Sequence, residues 1–166
     1  MHRLPVGTAI YSKLPTPKPI LNIPGTDIVS GHPISIKIPS LNINLNVIDG
    51  VEDASGQWTL TTQYAQFATI TNPANNHSGD TFIYAHDRKN LFINLHLIQP
   101  GSTAEISTSN GYTFFYKYTS TYTLKPTDTS IFDYQGAPIL TLQTCSGAEF
   151  QNRQMFQFSF VNYKKT

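Results

Sequence analysis

From His32 onward the chain alternates. In "ISIKIP" the residues Ile34, Ile36 and Ile38 recur at every second position, and in "NINLNV" Ile43, Leu45 and Val47 do the same. A period of two is the repeat of a strand with one face on a core and the other in water. Further compact or aromatic runs continue the theme: "DTFIYAH", "YTFFYKYTSTYTL", "ILTLQTC" and "QMFQFSFVNY". Between "STAEIST" and the long aromatic run stands Ser109-Asn110-Gly111, which predicts a hairpin because Asn-Gly suits left-handed turn geometry. "QYAQFATI" fits a strand or a short helical turn. "KNLFINLHLI", closed by Pro100-Gly101, is the best short helix candidate, with Leu91, Phe92, Leu95 and Ile98 near helical spacing. "KPTDTSIFDYQGAP" reads as a loop with one helical turn. About eight strands with one or two short helices predict an all-β fold, a closed or nearly closed β-barrel.

The alternation begins only after a proline-rich start. Pro5, Pro15, Pro17, Pro19 and Pro24 stiffen the first stretch towards extended conformation. Residues 1–31 are therefore expected to be a tether or linker, and residues 32–166 a single domain. No run of about 18 apolar residues is present, so no membrane-spanning helix is expected in the sequence as given. The start also lacks a charged-then-apolar signal pattern. Only 13% of residues are charged and the formal net charge is +1, so a nucleic-acid partner has no basic stripe to bind. Asp49, Glu52 and Asp53 in "DGVED" are read as a solvated turn, and no metal or other cofactor is expected. Asn76-His77-Ser78 forms a glycosylation sequon to which no function is assigned.

The chain has one cysteine, Cys145, at the end of "ILTLQTC". One thiol excludes an internal disulfide and any multi-cysteine metal site. A thiol of ordinary pKa is mostly protonated near neutrality and needs a base or a cationic neighbour to act as a nucleophile. Of five histidines, His2 and His32 lie in or beside the tether, His77 in a loop and His96 in the helix candidate. His86 ends the apolar run "TFIYAH", a place where a rigid scaffold presents a side chain at a barrel rim. Cys145 ends a strand in the same way, so the two make a candidate Cys–His pair. Arg153 follows in the stretch that enters the final strand. Its guanidinium donates several hydrogen bonds and stays charged, which suits it to orient a carbonyl or stabilise an oxyanion. Each of the three also has an ordinary structural reading: a small buried thiol, a histidine satisfied by loop backbone, and a solvated arginine.

"TLQTC" resembles the TLxTC signature of the sortases, with Cys145 where their nucleophile sits. The seven-residue gap to Arg153 fits their active-site arginine. "GDTFIYAHDRKNLFINLHLIQPGS" is similar to the sortase segment in which a histidine ends a strand and a short Phe/Leu helix follows. "IKIPSLNINLNVIDGVEDASGQW" is similar to the family's opening strands. The resemblance spans about residues 32 to 164. Many sortases have Gly just before the histidine, where this chain has Ala85.

The resemblance implies a closed eight-stranded sortase-type β-barrel and a cysteine transpeptidase. Its substrate would be an LPxTG-like sorting signal, cleaved between Thr and Gly through a Cys145 thioester. The acyl group would pass to an amine of a cell-wall peptide or a pilin lysine. His86 would protonate the departing amine and deprotonate the incoming one, Arg153 would hold the substrate backbone or oxyanion, and Thr144 would line the same site. With ordinary pKa values the thiolate–imidazolium form is only about 1% of the enzyme near pH 7.5, and Arg153 favours the thiolate. A bell-shaped pH–rate profile follows. The family also implies the extracellular face of the cell membrane, with anchoring through a segment before the domain. No acidic–Pro–aromatic lid triplet occurs in the start, and "SGAEFQN" between the last strands is short, which points to a housekeeping or class D/E-like enzyme. An inactive peptide-binding barrel and a cysteine hydrolase on the same fold are the competing readings.

Overall fold

The computed structural model describes residues 27–146 and 152–166, and for Cys145 and Ser146 it describes the backbone. Residues 1–26 of the expected 1–31 tether, and residues 147–151 of the short segment between the last strands, lie outside the described residues; the last five tether positions, 27–31, are described and end in a strand. The described residues form ten strands: β1 Ser30–Gly31, β2 Pro33–Ile38, β3 Ile43–Gly50, β4 Ala65–Ala68, β5 Ala74–Asn75, β6 Asp80–Tyr84, β7 Thr103–Thr108, β8 Tyr112–Leu124, β9 Ile139–Ser146 and β10 Asn152–Lys165. Eight of them close a barrel in the order β10-β8-β7-β2-β3-β4-β6-β9, and β1 pairs with β5 outside it. The Asn76 carboxamide ties this small ribbon down, accepting from the Val29 N–H and donating to the Asp27 carbonyl, both at 2.9 Å. With its side chain so engaged, Asn76 has a structural role.

The barrel interior holds Ile36, Ile38, Ile83, Ile106, Phe114, Leu140, Leu142, Phe156 and Phe158, all nearly or fully buried. The period of two delivers this core with one exception. Ile36 and Ile38 point inward, whereas Ile34 is 45% exposed. A register shift against β7 between Pro33 and Ser35 moves the alternation by one residue there, the expected effect of a bulge. The β7–β8 hairpin forms as predicted, but Gly111 alone takes the left-handed conformation (φ 85°) and Asn110 does not. That is the three-residue turn closed by a left-handed glycine, with the Gly111 N–H on the Thr108 carbonyl at 3.2 Å.

The helix expected over "KNLFINLHLI" is a correction. The segment is a chain of turns ending in a single 3₁₀ turn, Leu95–Leu97. Leu91, Phe92, Leu95 and Ile98 are nonetheless all buried, so the spacing reported burial correctly and helix incorrectly. Two more 3₁₀ turns, Pro39–Leu41 and Ser130–Asp133, complete the helical content of the described residues; the second is the turn anticipated in the 125–138 loop. No helix among them is long and apolar enough to cross a membrane.

Two pairings in the barrel are parallel, β3 with β4 and β6 with β9. Parallel neighbours cannot be joined by a tight turn. The β3–β4 connection, residues 51–64, therefore travels back along the outside of the barrel. The β8–β9 connection, residues 125–138, does likewise: β8 ends at Leu124 beside Arg153, while β9 starts at Ile139 beside Ser159, near the other end. A second apolar cluster lies under these segments, with Phe82, Tyr84, Tyr122, Leu124, Ile131 and Met155 buried and Trp58 and Phe132 packed on it.

Candidate active site

Strand direction brings the three sequence-predicted residues to one rim. Because β6 and β9 run parallel, with Tyr84 opposite Gln143, their C-terminal ends coincide. The Ala85 N–H continues the ladder to the Gln143 carbonyl at 3.2 Å, so one step further His86 reaches the level of position 145. On the other side β10 runs antiparallel to β9, and Arg153 is the direct register partner of Cys145. Directly opposed residues on neighbouring strands share a face of the sheet. Position 145 thus lies on the central strand of three, with the histidine-bearing strand end on one flank and the arginine on the other.

His86 is half-buried at the end of β6, and its carbonyl accepts the Phe92 N–H at 3.2 Å, which folds the following turns back over the strand end. Burial, and then the positive charge of Arg88, both push its pKa below the ordinary 6.5. Arg153 is half-buried at the start of β10. Thr144 has a different setting. Alternation along β9 puts it on the face of Leu140 and Leu142, which line the barrel interior, and it is 3% exposed. Its hydroxyl has no hydrogen-bond partner among the described residues.

Below the rim an open groove of about 370 Å³ runs over the outer face of β6, β9 and β10. Its floor is Phe82 and Tyr84 from β6, Gln143 from β9, and Arg153 and Met155 from β10. Trp58 and Leu60 of the 51–64 connection form one wall, Ile131 and Phe132 of the 125–138 connection the other. The walls are held before any ligand arrives. Tyr84 donates its hydroxyl to the Thr59 carbonyl at 2.8 Å, and Gln66 Nε2 donates to the same oxygen at 2.7 Å. Trp58 meets Tyr84 edge-on with centroids 5.9 Å apart and touches Phe132 across the groove at 6.0 Å. The Asp128 carboxylate caps the turn behind Phe132 by accepting the Ser130 N–H at 3.0 Å, and the Ser130 hydroxyl, then this N–H, hold its pKa low.

Sequence reasoning did not identify Trp58, Tyr84, Phe132 or Gln143 as lining residues. The lone tryptophan in a turn was the available signal, since a large ring on a loop must find an apolar surface to rest on. The other three depend on which crossover lies over which strand. His32, set aside beside the tether, pairs through Nε2 with Asp49 at 2.5 Å on the other side of the barrel order from β9, and so takes no part in this rim. Among the described residues no group of three or more acidic, histidine or cysteine side chains is placed to hold a metal ion.

The arrangement sets position 145 between an ionisable imidazole and a permanent cation, beside a groove open to solvent and lined by aromatic and polar side chains. A family model described as "Sortase domain" matches residues 36–157. Similar solved structures include sortase E1 from Streptomyces coelicolor, determined with a tripeptide in the active site (TM-score 0.67, 18% identity, covering 82% of this chain and 91% of that one). SrtA sortase from Actinomyces oris matches with TM-score 0.62 and 20% identity over 90% and 91% of the two chains. Sortase A of Listeria monocytogenes matches with TM-score 0.59 and 18% identity over 81% and 90%. At these identities the structures establish the shared barrel. No curated protein matches the sequence.

Proposed function

The chain belongs to the sortase family, and from that premise we propose that it is a cysteine transpeptidase of the cell surface that cleaves an LPxTG-like sorting signal. Cys145 Sγ, as thiolate, attacks the carbonyl carbon of the residue before the scissile bond. The C–N bond breaks as His86 gives its proton to the departing amine, leaving a thioester. An incoming amine, from a cell-wall peptide or a pilin lysine, then loses a proton to His86 and attacks the thioester; a new C–N bond forms, the C–S bond breaks and the thiolate is released beside the imidazolium. Arg153 donates hydrogen bonds to the substrate carbonyl or to the oxyanion of each tetrahedral intermediate. Thr144, which the resemblance put at the substrate, lies buried on the interior face of β9, opposite to the face of position 145, and no substrate contact is assigned to it. Attachment of the domain to the extracellular face of the membrane through a preceding segment belongs to the same reading.

The observation that carries this reading is the register of β6, β9 and β10. A parallel pair followed by an antiparallel one brings position 145 between His86 and Arg153. Incubation with LPxTG-like and LAxTG-like peptides plus triglycine, followed by product analysis, tests it. A ligated peptide that disappears in Cys145→Ala, and falls steeply in His86→Ala and Arg153→Ala, is expected. Cleavage with water as the sole acceptor makes the protein a hydrolase, and no turnover with peptides that still bind makes it an inactive binder.

A further inference from the structure

The groove floor contains one uncharged polar side chain on β9, and nothing else in the described structure uses it. Gln143 fills the variable position of "TLQTC" and lies two residues before Cys145. Its backbone is committed, since its carbonyl accepts the Ala85 N–H on one side and it pairs with Met155 on the other. Being central among β6, β9 and β10, β9 has no free edge on which a peptide could add as a strand. Recognition over this floor must therefore come from side chains. At the level of Gln143 the neighbours are Tyr84, whose hydroxyl is already donated to Thr59, and the thioether of Met155. The Gln143 carboxamide makes no hydrogen bond among the described residues, and it lines the groove.

We propose that Gln143 is a substrate-binding residue that hydrogen-bonds the main chain of the acyl peptide, on the N-terminal side of the scissile bond. This rests on the transpeptidase reading above. Two strand residues span roughly 6–7 Å, the same advance as two residues of an extended peptide. A peptide whose scissile carbonyl sits at position 145, and which runs down the groove, brings a main-chain amide over Gln143. A carboxamide carries a donor and an acceptor, the same pair a peptide unit presents. A contact to the main chain holds the peptide without reading its side chains, and leaves side-chain selection to the aromatic walls.

The experiment uses Cys145→Ala protein, so that peptide binds without reacting. Trp58 is the only tryptophan and lines the groove, so its fluorescence reports occupancy. Kd is measured for an LPxTG-like peptide and for analogues in which one backbone amide at a time is replaced by an ester. Gln143→Met keeps length and flexibility while removing both hydrogen-bonding groups. The added Gln143→Met change is expected to weaken binding of the parent peptide about 5–10-fold, the scale of one or two net hydrogen bonds. An ester analogue at one position should bind equally weakly to both proteins. Equal weakening on every analogue, or none on the parent peptide, overturns the proposal, as does sensitivity that follows one peptide side chain instead of an ester position. If wild-type enzyme forms no acyl adduct while the ester pattern appears, the transpeptidase reading fails and the Gln143 contact stands.

Discussion

His86 feels two influences, burial and the Arg88 charge, and both disfavour its cation. The proposed mechanism needs that cation, because in it the departing amine takes its proton. In a thiol–imidazole pair whose imidazole has the lower pKa, the doubly charged form peaks midway between the two values and shrinks as the gap widens. Lowering His86 therefore moves the acid limb of the kcat/KM profile below pH 6.5 and reduces the active fraction. Arg88→Gln removes one of the two influences. Its acid limb should move to higher pH and its optimum rate should rise by about 2-fold, a small effect because Arg88 is exposed to water. A pH–rate profile in which the limb stays or moves down would contradict this assignment. At Arg153 the planar guanidinium matters as well as the charge, so Arg153→Lys should retain the thiolate-favouring cation yet lose roughly 10²-fold in kcat. A loss confined to KM would show that Arg153 binds substrate without acting on the transition state. At this scale the candidate site could be picked out in the sequence because its chemistry is scarce: one thiol, and one histidine at the end of an apolar run. The groove-lining place of Gln143 was not readable, since it follows only from the way β6 and β10 flank β9.

Elements were legible to the extent that their periodicity survives contact with neighbours. Ile36 and Ile38 obey the period of two, and Ile34 departs from it because the β2–β7 ladder slips by one residue. Leu91, Phe92, Leu95 and Ile98 match helical spacing although their backbone makes turns, since a short segment can bury the same residues without continuous i to i+4 bonds. The crossover over 125–138 was legible as a loop and the start of the one over 51–64 as a turn; that they wall a groove follows from parallel pairings that no local pattern encodes. Gly50 is the tightest point of that assembly. A methyl group built on it overlaps the Tyr84 hydroxyl, the group that holds Thr59 and with it the Trp58 wall. Gly50→Ala should therefore destabilise the fold by about 1–3 kcal/mol. It should also shift the Trp58 emission, as the ring loses its edge contact with Tyr84. Denaturant unfolding and a fluorescence spectrum check both; an unchanged spectrum would mean the wall does not depend on that hydroxyl.

At the scale of the whole molecule, one buried carboxyl among the described residues makes stability depend on pH. Asp80 opens β6, is 3% exposed, and finds no hydrogen-bond partner for either oxygen among the described residues. Burial raises its pKa from 3.8 to about 8, and the Thr141 hydroxyl and N–H, near the carboxyl but outside hydrogen-bond geometry, oppose this only in part. The folded state thus keeps a proton that the unfolded chain releases near pH 4. Stability contributed by neutral Asp80 is fully present below the unfolded value, declines as pH rises, and levels off above about 8. Asp80→Asn should flatten that slope between pH 5 and 8, so that the gap between wild type and variant changes with pH. Urea unfolding at the two pH values measures it, and an identical slope in both proteins would place the carboxylate in water. The barrel that buries Asp80 also brings three strand ends to one rim, and the account stands or falls on what that rim does. The most direct measurement is the intact mass of the protein after mixing with an LPxTG-like peptide, with peptide mapping of any adduct. The account predicts an acyl adduct on Cys145 that triglycine discharges as a ligated peptide and that Cys145→Ala does not form. Failure of the wild-type protein to form an adduct with sorting-signal peptides that occupy its groove, or an adduct that persists in Cys145→Ala, would contradict it.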